Sequence, residues 1–111
     1  QSLTTGGAPT APAVVAFLES VFPQARVTDS YGITEVGGIS WNGMVLAEGC
    51  EVKLVDVPEF GYTSEDKPYP RGEIVVKHPR MALGYHNDPE RTKAVFKDGY
   101  FHTGDIGEQT P

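Results

Sequence analysis

The chain has 111 residues, of which 39% are hydrophobic and 22% charged, enough for one modest core and unlike a disordered or membrane-spanning composition. Fifteen acidic against nine basic residues leave a net charge of −6, which argues against nucleic acid or an anionic membrane as the main partner. The longest unbroken apolar run, Ala13 to Leu18, is too short to cross a bilayer, and the single Cys50 excludes an internal disulfide and a multi-cysteine zinc site.

Thirteen glycines and nine prolines demand many turns and close backbone approaches. Residues 1–9 are small and polar and end in Gly6-Gly7-Ala8-Pro9, which reads as a loop. A helix is predicted from Ala11 to Phe22: Pro12 suits its first turn, Val14, Phe17, Leu18 and Val21 share a face, and Pro23 ends it. Ala25 to Asp29 is a short predicted strand running into Ser30-Tyr31-Gly32-Ile33-Thr34-Glu35. This order places a functional-looking turn beyond the carboxyl end of a strand, where α/β layers bind ligands. The glycine-rich stretch 36–50 carries no clear period.

Strands are expected at Glu51–Val57 and Gly72–His78, with Pro58 to Arg71 as a surface excursion between them. Asp88 and Pro89 form a cap and first turn for a short helix ending near Phe96. Asp98-Gly99 is a turn dipeptide, and Tyr100 to Ile106 a strand holding Thr103-Gly104-Asp105. The expected fold class is mixed α/β, with residues 1–40 an α/β portion and 41–111 rich in strands. Gln1 at the start, and Pro111 close behind a strand-like stretch, fit a piece of a longer chain.

No phosphate-loop or dinucleotide glycine fingerprint is present. His78, His86 and His102 lack the close spacing of a helical metal site. Cys50 lies between Glu48 and Glu51, whose charge would raise its pKa and quench a thiolate. Three clusters remain, each with a bland alternative. Gly6-Gly7-Ala8-Pro9 offers bare backbone to a flat ring, or is only a loop before a helix. Asp29 to Glu35 combines an aromatic for stacking, a hydroxyl for a phosphate and a carboxylate for Mg²⁺, or is a turn with a half-buried tyrosine. Asp105 could accept hydrogen bonds from both hydroxyls of a ribose, or be a solvated acid on a strand bulge.

Taken in order and spacing, these clusters resemble the adenylate-forming superfamily of acyl-CoA synthetases, luciferases and adenylation domains. Gly6-Gly7-Ala8-Pro9 is similar to its adenine-wall loop, and Tyr31-Gly32-Ile33-Thr34-Glu35 to its Y-G-x-T-E signature. Gly84 to Thr92 resembles the segment leading to its next helix, and Asp98 to Ile106 its D-G-[WY]-x-x-T-G-D block. Residues 52–62 and 67–73 resemble long-chain fatty acyl-CoA ligases and carboxylic acid reductase adenylation domains; the second stretch leans to the reductases, and His102 to Gly107 to the ligases.

The resemblance implies part of an α/β layer followed by strands of a small distorted β-barrel. It implies that Tyr31 stacks on adenine against the Gly7, Ala8 and Pro9 backbone, with Asp29 and Ser30 along the adenine edge and Gly32 and Ile33 in the same binding segment. It gives Thr34 the α-phosphate, Glu35 the Mg²⁺, and Asp105 the ribose, making Thr34 and Glu35 the catalytic pair. The implied substrates are ATP (or AMP in reverse), a carboxylic acid of the fatty type, and a thiol from coenzyme A or a carrier-protein phosphopantetheine. The implied activity is an ATP-dependent acid–thiol ligase in a cytoplasmic setting, with a place peripheral to a membrane in the parent protein as the alternative. A phosphate loop before residue 1 and a lysine-bearing domain after residue 111 are expected, so these residues alone are expected to be inactive. A reductase adenylation domain and a non-catalytic nucleotide-binding module are the alternatives; intact Tyr31, Thr34, Glu35 and Asp105 count against the second.

Overall fold

The computed structural model describes residues 1–45 and 48–111, which form two compact units, Gln1–Glu48 and Gly49–Pro111. The chain is mixed α/β, with two four-stranded sheets among the described residues, one of them curled as a half-barrel.

In the first unit, strand β1 (Ser2–Thr5) leads through the Gly6–Pro9 loop into helix α1 (Pro12–Val21), which returns to strand β2 (Arg26–Ile33). Strands β3 (Gly37–Trp41) and β4 (Met44–Val45) complete the order β1-β2-β3-β4. Helix α1 starts as its sequence predicts, with Pro12 in the first turn where a missing N–H is harmless, and Phe22 caps it before Pro23. Its apolar stripe stays largely uncovered among the described residues: Val14, Phe17 and Val21 are exposed.

Two expectations are corrected. Residues 2–5, read as loop, are a strand, because Ser2 to Thr5 pair in parallel with Arg26 to Asp29. The strand expected to stop at Asp29 continues to Ile33, because its second half changes partner and pairs antiparallel with β3. The unassigned stretch contains a hairpin: Asn42 (φ 50°) and Gly43 (φ 78°) make the left-handed turn between Trp41 and Met44. Within that stretch, Leu46 and Ala47 lie outside the described residues. Ile39 is the extra residue where the β2–β3 register shifts, and it is fully buried beside Val36 in this unit's small core.

In the second unit, β5 (Glu51–Val55), β6 (Arg71–Lys77), β7 (Phe96–Lys97) and β8 (Tyr100–Glu108) build an antiparallel sheet of order β5-β6-β8-β7, and helix α2 (Pro89–Val95) leads directly into β7. The core is Val75, Val76 and Phe101. Asp88 caps α2 by accepting the Arg91 N–H at 3.0 Å, as its position predicts. Asp98 and Gly99 turn β7 into β8 with φ of 54° and 80°. An edge-to-face chain of Tyr85, Phe96 and Phe101 ties the segment before α2 to the core. The excursion before β6 is ordered by Asp66, which receives the Thr63 N–H at 3.1 Å and the Arg71 Nε–H at 3.0 Å. Thr63's amide and hydroxyl and the Arg71 charge hold the Asp66 carboxyl below the usual range.

Candidate functional site

The first unit has the β–α–β connection that leaves loops at the carboxyl ends of parallel strands. There the structure brings together the Gly6–Pro9 loop and the Asp29–Ser30 part of β2. Ser30 Oγ donates to the Thr5 carbonyl at 3.1 Å, and a Cβ on Gly6 would stand 2.8 Å from Ser30 Oγ. Only glycine allows so close an approach without a shift. Gly7 has φ +84° and open space where a side chain would be, so its backbone is unobstructed.

The Asp29 carboxylate is a tie: it accepts the Thr5 hydroxyl at 3.1 Å and the Thr10 hydroxyl at 3.4 Å, bracing both ends of the loop. Asn42 fixes the same residue from the other side. Its Oδ1 accepts the Asp29 N–H at 2.8 Å, and its own N–H donates to the Asp29 carbonyl at 2.7 Å. Thr10 and Asn42 are the supporting residues sequence reasoning missed; the Asn42-Gly43 dipeptide carried a turn signal, whereas Thr10 carried none.

Tyr31 is half-buried and pairs with Ser40 across the sheet. Gly32 is required by packing: a Cβ there would lie 2.7 Å from the Gly37 carbonyl oxygen. The Val36 N–H closes a turn on the Ile33 carbonyl at 3.1 Å, leaving Thr34 exposed and Glu35 half-buried at its centre. Thus the aromatic and the glycine of the Tyr31–Glu35 segment sit in a strand, and the hydroxyl and acid at the hairpin tip.

In the second unit, Thr103-Gly104-Asp105 is a bulge. Between the paired residues Glu73↔Ile106 and Val75↔His102, Ile74 on β6 faces Thr103, Gly104 and Asp105 on β8. Gly104 adopts φ +72°, the Thr103 hydroxyl donates to the Ile74 carbonyl at 2.7 Å, and it accepts the Asp105 N–H at 3.0 Å. Asp105 is exposed on this projection. Gly104 also borders an open concavity of ≈ 450 Å³ with Phe60, Tyr62, Glu73 and Ile106.

The remaining polar candidates have structural partners. His78 Nδ1 accepts the Arg80 N–H at 3.0 Å, His86 pairs with Asn87, and His102 faces Glu73. Burial pushes the Cys50 thiol up, against a nucleophilic role; the direction matches the sequence reading, but desolvation causes it. Among the described residues there is no cluster of three His, Cys, Asp or Glu that could hold a metal. Glu35 at the hairpin tip could supply a single carboxylate to a hard cation, which needs further oxygen ligands. No helix is long and apolar enough to cross a membrane among the described residues.

By its relatives the chain is an adenylate-forming domain. The chain matches AMP-binding enzymes over residues 1–86, and it belongs to that family. It is 46% identical over 98% of its length to the peroxisomal long chain acyl-CoA synthetase 6 of Arabidopsis thaliana, and 46% identical over 92% of its length to a carboxylic acid reductase of Segniliparus rugosus. It spans 17% of the plant enzyme and 9% of the reductase. Its structure superposes with a TM-score of 0.92 and 41% identity on the A domain of the Segniliparus reductase in complex with AMP and a co-purified carboxylic acid; the match covers 97% of this chain and 17% of that one.

Proposed function

We propose that the chain is the nucleotide-binding part of a fatty acid–CoA ligase. The observation that carries this reading is the joint presence of the open Gly7 backbone beside Asp29 and Ser30, the Tyr31–Glu35 hairpin, and the Asp105 bulge, in a chain 46% identical over 98% of its length to a long chain acyl-CoA synthetase.

In the first unit, the Tyr31 ring takes one face of adenine and the Gly7, Ala8 and Pro9 backbone the other, with Asp29 and Ser30 along the ring edge. Gly32 and Ile33 carry the strand between that ring and the turn. Thr34 donates its hydroxyl to the α-phosphate, and Glu35 supplies a carboxylate for Mg²⁺, whose charge offsets that of the phosphates. In the second unit, Asp105 accepts the ribose hydroxyls. A fatty carboxylate attacks the α-phosphorus of ATP, the bond to the β-phosphate breaks and pyrophosphate leaves, giving an acyl-adenylate; the thiol of coenzyme A then attacks its acyl carbon, the C–O bond to AMP breaks, and AMP and the thiol proton leave. The chain's part is positioning and charge stabilisation.

A second reading, the adenylation domain of a carboxylic acid reductase that passes its acyl group to a carrier-protein thiol, is supported by the superposition on the Segniliparus A domain. ATP–pyrophosphate exchange on the full-length protein, with short to long fatty acids, tests the shared reaction. Exchange that depends on a fatty acid supports adenylation, and acyl transfer to coenzyme A rather than to a carrier protein separates the two readings. No exchange with any acid, from a folded protein, replaces both with a non-catalytic nucleotide-binding module.

A further inference from the structure

The proposed roles leave Glu73, a half-buried acid beside the Asp105 bulge, unused. Glu73 on β6 has a side chain 22% exposed and faces the Thr103–Asp105 bulge with both oxygens engaged. Its Oε1 accepts the Gly104 N–H at 3.1 Å. Its Oε2 lies 3.2 Å from His102 Nδ1, a ring N–H donating to a carboxylate, and that imidazole is 21% exposed. The acid therefore grips the bulge on both sides of Thr103.

A bulge of this size has lost its regular ladder, so its shape depends on side-chain bonds. Thr103 ties itself to Ile74 and holds the Asp105 N–H, but it does not fix Gly104, whose φ of +72° sets the direction in which Asp105 leaves the strand. The Glu73 carboxylate fixes that peptide. Because Gly104 is exposed, water can satisfy its N–H if the acid is removed, and the fold survives. Water does not tie residue 104 to residue 102.

We propose that Glu73 is a positioning residue for nucleotide recognition: by clamping His102 and Gly104 it holds Asp105 where its carboxylate meets the ribose hydroxyls. This rests on the assignment of Asp105 to ribose.

The test is equilibrium titration of the full-length protein with ATP and with 2′-deoxy-ATP, for wild type, Glu73→Ala, Glu73→Gln and Asp105→Ala. The ratio of the two dissociation constants reports the ribose contact and is blind to a general loss of stability. Wild type should prefer ATP by roughly ten- to hundredfold, the value of a hydrogen bond to a charged acceptor. Asp105→Ala should bring the ratio near one. Glu73→Ala should reduce it to about a few-fold, and Glu73→Gln, whose amide oxygen still accepts from Gly104, should restore most of it. A wild-type ratio in Glu73→Ala, with the ratio lost in Asp105→Ala, overturns the role of Glu73 and leaves the ribose assignment standing. An unchanged ratio in Asp105→Ala overturns both. Should Glu73→Ala fail to fold, Glu73→Asp keeps the charge but falls a methylene short: a reduced ratio supports the clamp, and a wild-type ratio overturns it.

Discussion

Gly32→Ala is the substitution whose consequence follows most directly from the geometry. A Cβ at residue 32 would stand 2.7 Å from the Gly37 carbonyl oxygen, 3.3 Å from its carbon and 3.1 Å from the Gly38 Cα, where ordinary contacts begin at 3.4 Å. All three atoms are backbone, so no side chain can swing aside, and β2 and β3 must part by several tenths of an ångström. Overpacking of this kind costs about 1–3 kcal/mol, and a stretched ladder bond adds about 1 kcal/mol. Taking about 3 kcal/mol as the centre of that sum, the melting temperature should fall by roughly 12–24 °C if the chain unfolds as one small domain. The assay is thermal unfolding by circular dichroism, with ATP affinity measured well below the transition. The lesion sits between Tyr31 and the Thr34–Glu35 tip, so affinity should weaken together with stability. An unchanged melting temperature with weaker ATP binding would refute the packing argument and assign Gly32 to ligand approach instead.

Asp29→Ala releases the hydroxyls of Thr5 and Thr10, and amide hydrogen exchange should rise in residues 6–10 while the β1–β2 ladder keeps its protection; unchanged exchange in the loop would remove Asp29 as its brace. Asp88→Ala removes the α2 cap and should destabilise the chain by about 1 kcal/mol in urea unfolding, with Asp88→Ser recovering most of it; equal losses in both variants would contradict capping as the cause. Asp66 has its pKa lowered on folding, by the Thr63 amide first, so its contribution to stability is complete above the unfolded value of about 4 and disappears as pH falls through the lower folded value. The melting-temperature gap between wild type and Asp66→Asn should therefore be flat at neutral pH and close in strong acid. A gap that widens on acidification would reverse that sign.

The residues with local signals kept their readings in three dimensions. Pro12 and Pro23 bracket α1, Asp88 and Pro89 start α2, and Asp98-Gly99 turns the last hairpin, because caps and left-handed turns depend on residues within a few positions. The family signatures were equally legible, since their residue types and order are written in the chain. The tertiary structure alone decided the rest. Ser2 to Thr5 look like loop until β2 supplies hydrogen-bond partners, and β2 reaches Ile33 only because β3 takes over where β1 ends. Sequence could name Asp105 but not Glu73 or His102, which a bulge and a long-range strand pairing bring to its neighbours. Nor could it foresee that Asp29 braces the Gly6–Pro9 loop through Thr5 and Thr10. Local pattern fixes how a segment can fold; which segment answers its unpaired groups is set by pairings far apart in sequence, and in this chain those pairings aim the candidate site residues.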